Sequence, residues 1–142
     1  MLSRTAVAEE FGGRVGRIVI RWLPVVVWMA AIFEFSSVPG SRLPGRFGTL
    51  AHFLTYAILG GLLALALKRG RPSGRAIALA VMVASLYAVT DEFHQAFVPL
   101  RTPDVADWGV DTLGSLVGAW TALWLAQRVG RWRGRGESVR AQ

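Results

Sequence analysis

Residues 50–67 read LAHFLTYAILGGLLALAL, eighteen consecutive positions with no acidic or basic side chain except His52. A helix that crosses the roughly 30 Å hydrocarbon layer needs about 20 mainly apolar residues. A run without a polar stripe is also unlike the surface helix of a water-soluble domain. The stretch therefore predicts a helix buried in lipid and protein together.

Working outward, similar blocks run at about Ile18 to Ser36, Ala76 to Val98 and Trp108 to Val129. With residues 50–67 they predict an all-α integral membrane protein, a four-helix bundle with short loops spanning residues 18–129. Residues 1–17 form a basic N-terminal arm and 130–142 a basic tail. The long arm and the absence of a small-residue cleavage pattern after the first block predict no cleavable signal peptide. The chain has no cysteine, which excludes disulfides, thiolate metal sites and cysteine nucleophiles.

The charge of +7 is distributed unevenly. Thirteen of the sixteen basic residues lie before or in the first turn of the first block, in the loop after the second, or in the last turn of the fourth and beyond it. The positive-inside rule makes these regions cytoplasmic, both termini included. Arg42, Arg46 and Arg101 are left for the outward loops. Basic residues in this arrangement meet anionic lipid headgroups. Nucleic acid is not an expected partner, because Trp132 is the only aromatic residue among the basic ones of the tail.

Under that topology the polar residues converge on the outward side. Glu34, Ser36 and Ser37 close the first helix, and His52 opens the second. Asp91, Glu92, His94 and Gln95 end the third, and Asp107 and Asp111 open the fourth. His52 and Tyr56 share one helix face, as do Tyr87, Asp91 and His94. Gly114 and Gly118 give the fourth helix a GxxxG face suited to close approach.

A carboxylate at the centre of the hydrocarbon costs about 2.5–3.5 kcal/mol on insertion scales, and adjacent acids repel. Asp91 and Glu92 therefore need compensation from His52, His94, Arg101, a shared proton or a bound cation. No cofactor is required by the sequence, although a divalent metal is compatible with the residue types. Because neither histidine lies in an established metal motif, hydrogen bonding is the expected partner of the acids.

The motifs themselves resemble a known family. Ser36, Ser37 and Pro39, then HFLTYAILG from His52 to Gly60, TDEFHQAFVPLR from Thr90 to Arg101, and DVADWGVDTLG from Asp104 to Gly114 occur in the order found in VanZ-like membrane proteins. The resemblance covers roughly residues 20–125 and departs at Asp111, where the family pattern usually has Asn. It implies a multi-pass protein of the bacterial cytoplasmic (inner) membrane, associated with the cell envelope. Founding members are linked to resistance to the glycopeptide teicoplanin, while the biochemical activity of the family is not established.

Each candidate has a structural alternative. His52 can simply hydrogen-bond a neighbouring helix, and Asp91, Glu92 and His94 can clamp helices together. Asp104 and Asp107 can cap the fourth helix. Ser36 and Ser37 can merely end the first helix, and Tyr56 and Tyr87 can belong to an interfacial belt. The six tryptophans read as interface anchors or lipid-facing bulk. Arg101 offers a planar fork for phosphate or carboxylate, against a salt bridge to Glu92 or Asp104.

Phosphate-loop, HExxH and GxSxG motifs are absent, so ATP-driven and nucleophile-elbow chemistry is not expected. Two functions remain. One is an enzyme acting on an envelope precursor with His52, Asp91, Glu92, His94, Asp107 and Asp111 as acid/base groups or metal ligands. The other is a non-catalytic module that binds an envelope precursor or anionic lipid through Arg101, Gln95, Tyr56 and Ser37. A transport path would require a homo-oligomer, since four short helices leave little room within one protomer.

Overall fold

A computed structural model describes residues 4–39, 48–70 and 72–140, with side chains over 12–39, 48–70 and 72–132. Arg42 and Arg46 lie outside the described residues. Those described form four helices and no strand: α1 Arg4–Ser36, α2 Gly48–Leu67, α3 Gly74–Gln95 and α4 Val105–Arg140. Three contain segments long and apolar enough to cross a membrane, namely Gly12–Ser36, Gly48–Leu67 and Gly74–Gln95. The protein is thus an all-α membrane protein.

Helix ends and apolar ends differ. α1 and α4 continue through the basic flanks as far as Arg4 and Arg140, because hydropathy marks where lipid would stop and not where backbone hydrogen bonding stops. α3 starts at Gly74, after Ser73, whose hydroxyl accepts from the Ala76 amide. It ends at Gln95 instead of near Val98, and Pro99 disfavours helical geometry at the residue before it.

α4 is not one of the three apolar segments, since Asp111, Gln127 and Arg128 dilute its hydrophobic stretch. Its path is set by α2. Phe53 faces Gly114, Ala57 faces Gly118 and Gly61 faces Ala122, so the two helices run parallel through the same depth. A Cβ on Gly118 would overlap the Ala57 carbonyl, and one on Gly60 would overlap that of Ser115. The expected GxxxG face thus meets the Gly60–Gly61 pair in one seam. Close backbone approach there supplies van der Waals contact, which is the main source of helix association where lipid removes the hydrophobic drive.

α3 joins the bundle through Ala76, Ala80, Ala84 and Ala88, all nearly inaccessible. The four-residue spacing makes one smooth stripe. Asp91, Glu92 and Gln95 continue that buried face beyond Ala88. Conversely Ile20, Leu86 and Trp120 are exposed, apolar surface that suits a lipid environment.

Side chains also hydrogen-bond between helices. The Trp28 indole donates to the Thr55 carbonyl at 2.9 Å, and the Tyr87 hydroxyl donates to the Met29 carbonyl at 2.7 Å. Trp108 and Thr112 both donate to Ser85. Trp28 is therefore a packed inter-helix donor in addition to being bulk, and Tyr87 ties α3 to α1.

Candidate functional site

The end of the bundle where α1 and α3 finish and α2 and α4 begin holds the polar cluster. Asp91 and Glu92, adjacent in sequence, turn to different partners. The Gln95 amide donates to Asp91 Oδ2 at 3.3 Å and to Ser36 Oγ at 3.4 Å. Glu92 instead receives the Asp104 backbone amide on Oε2 at 2.9 Å. The repulsion between the neighbouring acids is thereby eased by separating them toward α1 and α4.

Between α1, α2 and α3 lies a cavity of ≈ 360 Å³, open at this end. Ile32, Phe35, Val38 and Ala51 give it apolar walls, while Ser36, His52, Thr55, Tyr56, Asp91, Gln95 and Arg101 supply its polar groups. Two buried polar atoms of its lining, Tyr56 Oη and Asp91 Oδ1, have no hydrogen-bond partner in the protein. An unmatched buried polar group costs about 1–3 kcal/mol. Neither atom is matched within the protein, so only a group from outside the chain can pair with it.

His52 stands between this cavity and a second cluster. Its Nδ1–H donates to Asp111 Oδ1 at 3.1 Å and to Oδ2 at 3.3 Å. Asp111 is completely buried. A ligand-capable atom from each of His52, Glu92 and Asp107 lies within 4.8 Å of the others. Three carboxyl groups, those of Asp111, Glu92 and Asp107, thus gather around a single imidazole.

Arg101 reaches back to α1. Leu100 adopts a positive φ of 59°, an uncommon backbone state for a non-glycine residue, and reverses the chain after Pro99. The Arg101 Nε then donates to the Val38 carbonyl at 3.1 Å, and Nη2 donates to that of Phe35 at 3.3 Å. Among the described residues it forms no ion pair with Glu92 or Asp104. It caps the C-terminus of α1 and contributes to the cavity rim.

His94 lies apart from His52. Its ring stacks on Phe33 with centroids 4.3 Å apart, and Nε2 lies 3.0 Å from Ser37 Oγ. Since the Ser37 hydroxyl donates to the Phe33 carbonyl, His94 is the donor in this contact. Both residues fasten α3 to α1 and neither lines the cavity. Asp104 caps α4 through Oδ1, which accepts the Ala106 amide at 2.8 Å.

The arrangement brings together His52, Asp111, Glu92 and Asp107 on one side, and Asp91, Gln95, Tyr56 and Arg101 on the other. Thr55, Ala51 and Gly48 were not expected in the lining. Their spacing with His52 and Tyr56 traces a single helical face, the signal that identifies them.

Residues 8–126 match the family model described as VanZ/LLP1. No curated protein and no solved structure matches the chain.

Proposed function

The chain belongs to the VanZ/LLP1 family, and from that premise we propose that it binds the polar head of an amphiphilic envelope precursor or lipid in the outer leaflet of a bacterial cytoplasmic membrane. The orientation rests on the thirteen basic residues in and immediately beside the arm, second loop and tail, which the positive-inside rule assigns to the cytoplasm. The polar cavity then opens outward.

The cavity carries the reading. Its ≈ 360 Å³ combines an apolar wall with convergent donors and acceptors, the usual make-up of a small-molecule site. Asp91 Oδ1 accepts hydrogen bonds and Tyr56 Oη can donate one, so a head rich in hydroxyl or amide groups satisfies both. Arg101 engages Val38 and Phe35 through Nε and Nη2, which leaves Nη1 at the rim for a phosphate or carboxylate carried by the same molecule. The apolar residues Ile32, Phe35 and Val38 suit the start of an acyl or prenyl chain.

Protein purified into lipid nanodiscs from its native membrane should retain a defined amphiphile, identified by native mass spectrometry. Ala51→Trp, which places bulk at the cavity wall from an exposed helix position, should lose it. Equal lipid content in the two proteins would overturn the proposal. For orientation, Thr102→Cys should react with an impermeant thiol reagent in intact cells while Ser73→Cys stays protected. The reverse pattern would place the cavity at the cytoplasmic face.

The His52–Asp111 pair supports a catalytic second reading. A carboxylate on Nδ1–H fixes the tautomer and leaves Nε2 as a general base. In that case the purified protein turns over its bound amphiphile, and His52→Gln abolishes turnover while retaining the lipid. A complex that binds but never turns over supports the binding module.

A further inference from the structure

We propose that His52, Glu92 and Asp107 form a binding site for a divalent transition-metal ion, with Asp111 as the residue that orients His52. This inference is independent of what the cavity holds.

Three observations carry it. The first is geometric: the three side chains offer ligand atoms within 4.8 Å of one another, from three different helices. Two ligands each about 2.1 Å from one ion are at most ~4.2 Å apart, so a small side-chain adjustment closes the site. The second is an orphaned atom. Glu92 is 9% exposed, and its Oε1 has no hydrogen-bond partner although Oε2 is held by the Asp104 amide. One carboxylate oxygen is thus anchored while the other remains uncompensated. A cation beside Oε1 would compensate it.

The third is the position of Asp111. A metal-bound histidine commonly donates its other ring N–H to a carboxylate, which sets the tautomer and raises ligand basicity. The Nδ1–H of His52 meets the Asp111 carboxylate in this way, leaving the lone pair on Nε2. Imidazole with two carboxylates suits zinc or manganese, whereas an all-oxygen set would favour magnesium or calcium. The sequence pointed to hydrogen bonding as the compensating interaction because no metal motif was legible. The site is assembled from three helices at positions 52, 92 and 107, so no local motif would record it.

The test uses the full-length protein in detergent. After stripping with chelator and dialysis, Zn²⁺ and Mn²⁺ are added separately, and bound metal is measured by elemental mass spectrometry alongside the thermal midpoint. One of the two metals should bind near one ion per chain and raise the midpoint. Glu92→Gln and Asp107→Asn, each checked for retained helicity, should lose the ion, while Asp104→Asn should keep it. Asp111→Leu should weaken binding about 10- to 100-fold, with Asp111→Asn closer to wild type because its carbonyl still accepts from Nδ1. Failure of the stripped wild-type protein to bind either metal overturns the site. So does stoichiometric binding that survives both ligand substitutions in folded protein.

Discussion

The two ends of the bundle handle charge in opposite ways. Where α2 finishes and α3 begins, Arg69 and Arg75 are exposed, as are Arg14, Arg17 and Arg21 on α1 and Arg128 and Arg131 on α4. At the other end Asp91, Glu92 and Asp111 are buried and Asp107 is half-buried. Exposed bases can be compensated by water and headgroups, so they bear on orientation with little demand on packing. Buried acids require partners at fixed positions, so they shape the interior. The position of a charge along the chain is informative about topology, while its direction relative to the bundle axis is informative about the site.

That contrast depends on the α2–α4 seam, which holds Asp111 against His52. The largest effect should therefore come from Gly118→Leu, because the added side chain starts where the Ala57 carbonyl already lies. Overpacking against backbone cannot be relieved by a rotamer change, and a loss of about 3 kcal/mol is expected, at the upper end of such costs. Thermal unfolding in detergent should show a large drop with poor recovery of folded protein. A stable Gly118→Leu protein would mean that the two helices can separate without disturbing the acidic end.

Next comes His52→Ala, which leaves the buried Asp111 without its partner. A loss of about 1–3 kcal/mol is expected from an unmatched buried polar group. Adding Asp111→Asn should recover part of it, with a coupling of about 0.5–3 kcal/mol in the double-mutant cycle. Purely additive losses would show that the pair does not act as a unit.

Much of this architecture could be read from the residues. The run at 50–67 and its three companions fixed the number and type of elements, and the GxxxG spacing pointed to a close helix contact. The order of polar motifs also placed His52, Glu92 and Asp111 at one end. Direction was harder. Adjacent Asp91 and Glu92 diverge, and His94 faces Phe33 instead of His52, because rotation of α3 is decided by the alanine stripe against its neighbours. A helical face defined only by Tyr87, Asp91 and His94 could not reveal that orientation. The role of Arg101 was likewise concealed, since its partners are backbone carbonyls of α1, and carbonyls carry no sequence signature.

Arg101→Ala offers a smaller test of the acidic end. It removes hydrogen bonds to Val38 and Phe35 and should cost roughly 1 kcal/mol, read as a lower thermal midpoint. Arg101→Lys should recover little, because an ammonium cannot reproduce the fork that reaches two carbonyls. Full recovery by lysine would identify the role of Arg101 as charge and not capping.

The smallest effects belong to the basic end, where they set the comparison most sharply. Arg75→Gln and Arg131→Gln each remove one exposed charge, and surface substitutions of this kind usually shift stability by no more than about 0.5 kcal/mol. Glu92→Gln also removes one charge, but from a buried carboxylate whose Oε2 accepts the Asp104 amide. The same formal change should therefore be nearly silent at one end and measurable at the other, where the sign reports what compensates Glu92. Stabilisation in metal-free protein would mean that repulsion among the carboxylates dominates there, while a midpoint raised by added Zn²⁺ in wild type but not in Glu92→Gln would mean that a cation compensates Glu92. Equal midpoints for Arg75→Gln, Arg131→Gln and Glu92→Gln, with and without metal, would remove the distinction between the two ends.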